Sequence, residues 1–230
     1  MSDFCKKVII NVTQNRYIFI YKDRGKLMSK EKDSSNIDGM NGLERSLKRV
    51  GDFVGALFLL IVLSPVFLYI YIRQRWNASE PVIYSQERIG KGGKPFMIYK
   101  FRTMVVDAEK DGVPQLEQED DPRLTEFGKV LRKRHLDELP QIWNVLKGDM
   151  SFVGYRPERQ YFIDRIMEHN SDYRLLYLST PGVTSLATIQ NGYTDTMEKM
   201  LKRLELDLEY LRNRSLWLDV QIIFKTVFNI

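Results

Sequence analysis

One apolar stretch, residues 53–72, constrains this chain more than any other feature of its sequence. It carries no charged side chain, and its roughly 20 residues give about 30 Å as a straight helix, just enough to span a bilayer. Pro65 interrupts the stretch, because proline cannot donate to the carbonyl of Ile61 and its ring clashes there. Ser64 offers a hydroxyl for a freed backbone group. Each half then reaches only about 18 Å, which is too short to cross.

Basic residues flank the apolar stretch on both sides. Arg45, Lys48 and Arg49 precede it, and Arg73 and Arg75 follow it. Because Lys and Arg prefer the cytoplasmic side of a membrane, both ends are expected there, as in a re-entrant hairpin. A single span kinked at the proline also fits, since flanking arginines can snorkel to either interface. The flanks leave both topologies open, and a buried helix of a soluble protein fits much less well.

The chain length limits the number of domains. Its 230 residues allow one catalytic unit and an anchor, but not two full domains. We expect an N-terminal extension at 1–39, a re-entrant membrane hairpin at 40–75 and a cytoplasmic catalytic domain at 76–230. The single cysteine, Cys5, excludes an intrachain disulfide and a zinc site built from paired cysteines.

The N-terminal extension differs from the rest of the chain. Two short β-like runs, at 8–10 and 17–21, precede a polar stretch at 29–36. We interpret the extension as a linker or disordered tail of unknown role.

The net positive charge limits the partners. A formal charge of +5 and a pI near 9.1 fit nucleic acid, anionic lipid head groups or phosphorylated small molecules. No nucleic-acid recognition motif accompanies the charge, and the aromatic residues follow core periodicity, so we expect no nucleic-acid partner.

Alternating residues after the anchor predict a β-hairpin. Its strands, at 81–89 and 94–102, flank a glycine-rich segment, and the alternation puts Lys100 and Arg102 on the same face. The glycine-rich segment lacks the full spacing of a nucleotide-binding loop, so we interpret it as a plain turn. Residues 107–122 are acidic and irregular, as is typical of a solvated loop.

Helical periodicity dominates the second half. One helix is expected from Leu136 to Gly148, with Asp137 at or next to its N-cap. A second amphipathic helix covers 197–211. The final segment, 216–228, fits equally well a helix packed on the domain and one lying in the membrane interface. The fold class is therefore α+β and mostly helical, with amphipathic interfacial helices around one catalytic domain.

The densest set of reactive groups is the acidic pair Asp137 and Glu138, which follows the cationic run 132–135 (RKRH). Cations and helix amides both favour ionised carboxylates. Such a carboxylate can attack phosphorus, or hold a divalent metal together with substrate phosphates. The plain alternative is an ordinary N-cap aspartate followed by a first-turn glutamate.

Two further segments add phosphate-binding groups. Residues 147–158 contain a glycine turn and Arg156, whose planar guanidinium suits phosphate oxygens. Residues 180–184 add a second tight turn with a hydroxyl. Together with the acidic pair, they predict a diphosphate site beside a membrane.

Several motifs follow one another between about residue 47 and the end of the chain. They are Lys48-Arg49 with Asp52, the Ser64-Pro65 break, 99–104 (YKFRTM), 136–141 (LDELPQ), and 144–151 (NVLKGDMS) running into 154–157 (GYRP). With this series the chain resembles the small monotopic phosphoglycosyl transferases, the bacterial sugar transferase family that starts lipid-linked glycan assembly.

The resemblance implies an activity. Members transfer a sugar 1-phosphate from a nucleotide sugar, usually a UDP-sugar, to polyprenyl phosphate, normally undecaprenyl phosphate, and release UMP. By this likeness Asp137 is the nucleophile that forms a phosphosugar-aspartyl intermediate, and Glu138 assists with Mg²⁺ and proton handling. Both carboxylates are then expected as Mg²⁺ ligands. The substrate phosphates are expected to bind Lys100, Arg102, Arg132 and Arg156.

The resemblance also implies a location. A re-entrant hairpin broken at Ser64 and Pro65, among bacterial inner-membrane lipids, would hold the catalytic domain on the cytoplasmic face. The glycan made could be capsule, exopolysaccharide, O-antigen or glycoprotein. The sequence does not determine the oligomeric state, and a homodimer is among the states considered.

One loop departs from the family pattern. Many members have Gly-Pro-Arg-Pro where this chain has GYRP, and an Arg-Pro-Gly-Ile-Thr-Gly-Trp-Ala-Gln run, then Asn-Gly-Arg, where it reads TPGVTSLAT (180–188), then IQNGY (189–193). The arginines before Pro181 and after Gly192 are absent. We expect Pro181, Gly182 and Thr184 to contact the nucleotide or sugar, so the identity of the sugar stays open.

An alternative function is a non-catalytic, membrane-tethered scaffold or regulator of glycan assembly, which would bind lipid phosphate with the same basic surface. His135 and His169 are interpreted as structural or surface residues, because they lack ligand spacing.

Overall fold

The computed structural model describes residues 10–13, 16–23, 26–33, 37–77, 81–105, 108, 115, 121–192 and 194–228, the first three ranges by backbone alone. The strands are β1 (Ile10–Thr13), β2 (Arg16–Asp23), β3 (Lys26–Asp33), β4 (Ile83–Ile89), β5 (Pro95–Phe101), β6 (Ser151–Val153) and β7 (Gly182–Thr184). The helices are α1 (Gly42–Val62), α2 (Ser64–Asn77), α3 (Glu126–Lys133), α4 (Gln141–Lys147), α5 (Gln160–His169), α6 (Leu186–Asn191), α7 (Met197–Asn213) and α8 (Leu216–Phe228). Short 3₁₀ segments lie at Lys91–Gly93, Leu136–Glu138 and Ser171–Leu178. The expectation of a mostly helical chain with a short β-hairpin is confirmed.

The N-terminal region contains an antiparallel sheet in the order β1-β2-β3. The β-like run at 17–21 lies in β2, whereas only the last residue of the run at 8–10 is described. The polar stretch interpreted as linker extends into β3, which ends at Asp33. Strand pairing therefore reaches further into this stretch than its polar composition indicated.

Residues 37–40 pack against the end of α7. Ile37 and Met40 are buried. Asp38 accepts two hydrogen bonds from Arg214, from Nε at 2.6 Å and from Nη2 at 2.5 Å. Burial alone would raise the pKa of Asp38, but the Arg214 guanidinium holds it below its usual value. The expected boundary at residue 39 thus falls inside a docked segment, and the domain limits stay a prediction.

The apolar stretch forms two helices, α1 and α2, that meet at an angle. No single described helix is long and apolar enough to cross a membrane, while α1 and α2 together meet that requirement but are bent by 58°. Ser64 Oγ donates to the Ile61 carbonyl at 2.7 Å, the group that Pro65 cannot reach. The expected break at Ser64 and Pro65 is confirmed.

Three helices expose large apolar side chains, which on a soluble protein usually marks a contact surface. The most exposed are Leu43, Phe58 and Ile61 of α1, Tyr69 and Trp76 of α2, and Trp217, Phe224, Val227 and Phe228 of α8. The opposite arrangement holds in α7, where Met200, Leu204, Leu208 and Leu211 are buried in the main core. The amphipathic helix predicted at 197–211 is confirmed, and its apolar side lies in the main core.

Three charged residues of α1 join it to the rest of the protein. Lys48 Nζ donates to Asp219 Oδ2 of α8 at 2.5 Å. Arg49 donates to the Val145 and Leu146 carbonyls, near the end of α4, at 2.7 and 2.9 Å. Asp52 accepts from the Phe152 backbone N–H at 3.2 Å. The motif that begins the family resemblance therefore docks α1 on α8, on β6 and on α4, the helix that follows the acidic pair.

Two short sheets carry the site. The antiparallel pair β4-β5 is the predicted hairpin, with Tyr84 opposite Lys100. The parallel pair β6-β7 is held close by glycines, since a Cβ on Gly182 would lie 2.1 Å from the Gly154 nitrogen. This pairing positions the loop that follows β6.

Candidate active site

The acidic pair lies on a single 3₁₀ turn, Leu136–Glu138, before α4. The α-helix that we expected from Leu136 begins instead at Gln141, so Asp137 is not its N-cap. Pro140 explains the difference, because it has no N–H to bond the Leu136 carbonyl and takes the N-cap position itself. The expected end of the helix at Gly148 is confirmed, with φ of 96°.

His135 makes the sharp turn that separates α3 from the acidic pair. Its φ is 53°, and in the described part of the chain no other residue except glycine has a positive φ. Such backbone strain persists where surrounding structure fixes it, often at functional sites. The turn lets Arg132 at the end of α3 and Asp137 after it face one cavity. No sequence signal distinguished His135 from a surface histidine.

A cavity of about 420 Å³ lies beside the acidic pair. Its described lining includes eight cationic side chains: Arg88, Lys100, Arg102, Arg123, Arg132, Arg156, Arg159 and Arg203. Three carboxylates, Asp137, Glu138 and Glu158, also line it. This excess of positive charge fits a ligand with several negative charges, such as a diphosphate.

Glu138 lies between two cations. Its Oε1 accepts from Lys100 Nζ at 3.0 Å and from Arg156 Nη2 at 3.1 Å. Burial alone would raise the pKa of Glu138, but the two cations hold it far below its usual range. Asp137, next to it in the turn, is only 5% exposed and lines the same cavity. The turn thus presents an ionised glutamate and a buried aspartate to a cationic cavity.

The four predicted phosphate-binding cations all line the cavity. Lys100 and Arg156 contact Glu138, as described above. Arg102 donates through Nε to the Pro81 carbonyl at 2.9 Å, with its guanidinium over the Tyr84 ring. Arg132 is almost fully buried at the end of α3. The structure brings these groups to one site, and their roles toward a ligand stay predictions.

The loop expected to contact nucleotide or sugar lies mainly in β7. Pro181, Gly182 and Thr184 are not among the cavity-lining residues, whereas Val183 is. Thr184 Oγ1 instead forms a hydrogen bond of 2.8 Å with Thr226 of α8. The assignment of the three residues to the substrate stays a prediction.

The two departures from the family pattern have different positions. Tyr155 is 1% exposed and packs in the main core, away from the cavity lining. Tyr193 lies outside the described residues.

A hydrogen-bonded row on β4 was missed from the sequence. Gln86 Nε2 donates to the Tyr84 hydroxyl at 3.0 Å, and Arg88 Nη2 donates to Gln86 Oε1 at 2.7 Å. Glu158 continues the row by accepting from Arg88 at 3.1 Å and from Arg203 at 3.0 Å. The period-2 spacing of 84, 86 and 88 was the signal that could have found the strand part of this row.

The donor set limits how a metal can bind. The described residues contain no group of three or more His, Cys, Asp or Glu that could hold an ion. Asp137 and Glu138 supply two carboxylates, and Mg²⁺ is commonly bound by one or two carboxylates with substrate phosphates and water. The residues therefore fit Mg²⁺ when a phosphate ligand completes its coordination.

Comparison with known proteins identifies the family. The sequence model of the family described as bacterial sugar transferase matches residues 43–230. The chain therefore belongs to the bacterial sugar transferase family.

Three relatives indicate the range of the family. The UDP-glucose:undecaprenyl-phosphate glucose-1-phosphate transferase of Escherichia coli (strain K12) is 44% identical over 191 residues, 82% of this chain and 41% of the relative. The UDP-N-acetylgalactosamine-undecaprenyl-phosphate N-acetylgalactosaminephosphotransferase of Aeromonas hydrophila is 40% identical over 79% of this chain and 43% of its own. The UDP-glucose:undecaprenyl-phosphate glucose-1-phosphate transferase of Caulobacter vibrioides is 38% identical over 78% of this chain and 68% of its own. The chain spans less than half the length of the first two, and the named sugars differ.

Proposed function

We propose that this protein transfers a sugar 1-phosphate from a UDP-sugar to undecaprenyl phosphate or a related polyprenyl phosphate, and releases UMP. The observation that carries the proposal is the buried Asp137 beside an ionised Glu138, in a cavity with eight cationic side chains. The named activities of the relatives support the substrate classes. The reaction would be the first membrane step in the synthesis of a lipid-linked glycan.

In the first step, an Asp137 carboxylate oxygen attacks the β-phosphorus of the UDP-sugar. A bond forms between that oxygen and phosphorus, and the bond from phosphorus to the bridging oxygen breaks. UMP leaves with the electron pair, so Asp137 carries the phosphosugar. Lys100, Arg132 and Arg156 oppose the negative charge that develops on the phosphate oxygens.

In the second step, a phosphate oxygen of the lipid attacks the same phosphorus. The bond from phosphorus to the Asp137 oxygen breaks, which restores the carboxylate and yields a polyprenyl diphosphate sugar. Glu138, kept ionised by its two cations, would assist in proton handling and would hold Mg²⁺ together with Asp137. The ion would supply further positive charge beside the diphosphate.

The exposed apolar helices supply the membrane contact in this proposal. The bent pair α1-α2 enters and leaves the bacterial inner membrane on the cytoplasmic side, since basic residues flank both of its ends. The exposed side of α8 lies in the interface, and so does Trp143 of α4, which is 51% exposed. Because Arg49 ties α1 to the end of α4, the acidic pair is held beside the bilayer, where soluble UDP-sugar and lipid phosphate can both arrive.

The activity is tested by incubating purified protein in lipid nanodiscs with undecaprenyl phosphate, Mg²⁺ and, in turn, UDP-glucose, UDP-galactose and their N-acetylamino forms. UMP release with at least one sugar is expected. Asp137→Asn is the matched control, and undiminished release by it would exclude Asp137 as the nucleophile. A wild-type protein that binds lipid phosphate but releases no UMP would favour the scaffold function.

The topology is tested by cysteine labelling in a Cys5→Ser background. Single cysteines at Ser46 and Asn77, on either side of the apolar stretch, should react with a membrane-impermeant reagent from the same side. Reaction from opposite sides would establish a crossing and contradict the hairpin.

A further inference from the structure

The hydrogen-bonded row on β4 has a fixed direction. The guanidinium of Arg88 can only donate, so the Gln86 atom that it contacts at 2.7 Å must be the amide oxygen. The amide nitrogen of Gln86 then faces the Tyr84 hydroxyl, to which it donates at 3.0 Å. The Tyr84 oxygen is therefore an acceptor within the row, and its own proton points elsewhere.

Glu158 anchors the other end of the row. Its carboxylate oxygens accept from Arg88 at 3.1 Å and from Arg203 at 3.0 Å, and the three side chains are 12–14% exposed. Arg88 donates to Glu158 through Nη1 and to Gln86 through Nη2. The ion pair with Glu158 thus orients the donor that faces Gln86, and with it the amide of Gln86.

The Tyr84 hydroxyl proton has no acceptor among the described residues. There the hydroxyl makes one hydrogen bond, which it accepts from Gln86. Strand alternation turns the side chains of residues 84, 86 and 88 to the same side, and all three line the large cavity. The proton is therefore available to an acceptor that enters this cavity.

The cations beside Tyr84 indicate the chemistry of that acceptor. Lys100 lies directly opposite Tyr84 in the β4-β5 pair, and it contacts Glu138 at 3.0 Å. The guanidinium carbon of Arg102 lies 5.7 Å from the centroid of the Tyr84 ring. Arg102 Nε donates to the Pro81 carbonyl, whereas its Nη groups donate to none of the described residues. A hydroxyl donor with two cations beside it favours an anionic oxygen over a neutral one.

We propose that Tyr84 is a further binding residue of this site, whose hydroxyl donates a hydrogen bond to a phosphate oxygen of a substrate beside Arg102. Gln86 is a positioning residue, which accepts from Arg88, donates to Tyr84 and so directs the hydroxyl proton toward the ligand. The proposal rests on the proposed function, since it takes the bound phosphate from the transfer reaction. The diphosphate of the UDP-sugar and the phosphate of the lipid both offer this chemistry.

The first test is Tyr84→Phe in the UMP release assay. The change keeps the ring beside Arg102 and removes only the hydroxyl, and about a tenfold loss of kcat/KM is expected because a hydrogen bond to a charged oxygen is lost. Tyr161→Phe is the matched control, since the Arg165 guanidinium carbon lies 4.3 Å from the Tyr161 ring centroid. Tyr161 is not among the described residues that line the cavity, so this variant should keep wild-type activity.

Varying each substrate in turn identifies the phosphate. Because UMP leaves before the lipid reacts, kcat/KM for the UDP-sugar reports the first step and kcat/KM for undecaprenyl phosphate reports the second. A loss in the first alone assigns Tyr84 to the diphosphate of the UDP-sugar, a loss in the second alone assigns it to the lipid phosphate, and a loss in both assigns it to the transferred phosphate. A loss that differs between UDP-sugars would overturn the proposal, because the hydroxyl would then contact the sugar.

A double-mutant cycle with Gln86→Glu tests the direction of the row. A carboxylate at this position can only accept, so it should keep the contact with Arg88 and take the proton of the Tyr84 hydroxyl. Tyr84→Phe should therefore cost less than about twofold in the Gln86→Glu background, against about tenfold in wild type. Equal losses in the two backgrounds would overturn the role of Gln86.

The same assays distinguish this proposal from the proposed function. A wild-type protein that releases no UMP from any UDP-sugar contradicts both. An active wild type whose Tyr84→Phe variant keeps full kcat/KM for both substrates contradicts the role of Tyr84 alone.

Discussion

Two regions on either side of Arg156 each contain a largely buried carboxylate, and they shift the pKa of that carboxylate in opposite directions. In front, Lys100 and Arg156 hold the pKa of Glu138 far below its usual range. Behind, burial raises the pKa of Asp207 from 3.8 to about 7, although Arg203 opposes the shift. The difference shows where the protein concentrates positive charge: at the carboxylate that faces the ligand.

The groups around Asp207 explain why its ionised form is only weakly stabilised. Arg203 and the Arg156 backbone favour its ionised form, whereas Glu158 repels it. Tyr155 and Tyr173, which pack nearby, are uncharged, and burial raises the pKa of both hydroxyls. A single nearby cation therefore offsets only part of the cost of burying the charge.

Among the tests of the region in front of Arg156, removal of the metal ion should reduce activity most. With EDTA in place of Mg²⁺, UMP release should fall by at least about 100-fold, because the diphosphate loses the charge that the ion supplies. Restoration by added Mg²⁺ is the control. Full activity in EDTA would show that the reaction needs no metal ion and that Glu138 only pairs with Lys100 and Arg156.

Replacing Glu138 should have the next largest effect. Glu138→Gln should lower kcat by about 100-fold, since it removes the ionised carboxylate of the pair. It should also destabilise the protein by about 3–5 kcal/mol at pH 7, because two cations lose their partner.

The pH dependence of this stability change has a definite sign. Because the pKa of Glu138 is lowered on folding, its stabilisation is present above the usual glutamate pKa and is lost as the pH falls. The difference between Glu138→Gln and wild type should thus narrow below about pH 4. Chemical denaturation at pH 7 and at about pH 3 measures the free energies of unfolding of both proteins, and an unchanged difference between them would contradict the lowered pKa.

The stability contribution of Asp207, behind Arg156, should depend on pH with the opposite sign. Because the pKa of Asp207 is raised on folding, wild-type stability should fall as the pH rises from about 4 to about 7. Asp207→Asn removes this cost and should gain at most about 4 kcal/mol at pH 8, and less at pH 5. Denaturation curves of both proteins at pH 5 and pH 8 measure this gain. An Asp207→Asn variant that is less stable than wild type at pH 8 would contradict the raised pKa of Asp207.

The smallest effect is expected at a hydroxyl beside Asp207. Tyr155 Oη is buried and has no hydrogen-bond partner among the described residues. Tyr155→Phe should change stability by less than about 1 kcal/mol, with kcat unchanged. Tyr210→Phe is the matched contrast, since Tyr210 donates to Asp219 at 2.5 Å and its loss should cost about 1.5–3 kcal/mol. Equal effects of the two changes would contradict the assigned contacts.

Local rules predicted the features whose causes are local. Pro65 and Ser64 determine the helix break within one turn, and alternation alone predicted the hairpin with Lys100 and Arg102 on the same face. The cationic run and acidic pair indicated a phosphate site before any tertiary contact was known. Pro140, in contrast, shifted the start of α4, which the apolar periodicity did not reveal.

Long-range contacts could not be predicted in the same way. Lys48 meets Asp219 from 171 positions away, and Arg49 meets the end of α4 from 96 and 97. Nothing in the local sequence specifies such a partner. Asp207 did leave a signal, because it lies on the apolar stripe of its helix between Leu204 and Leu208, where a charged residue is unexpected.

The central claim is that Asp137 carries the phosphosugar between the two steps. Protein in nanodiscs without lipid phosphate should be mixed with UDP-sugar and followed by intact-protein mass spectrometry. The account predicts a burst of UMP and an increase in mass by one phosphosugar, located on the peptide of Asp137, cleared on addition of undecaprenyl phosphate and absent in Asp137→Asn. Steady turnover with no such adduct, or an adduct that persists in Asp137→Asn, would contradict it.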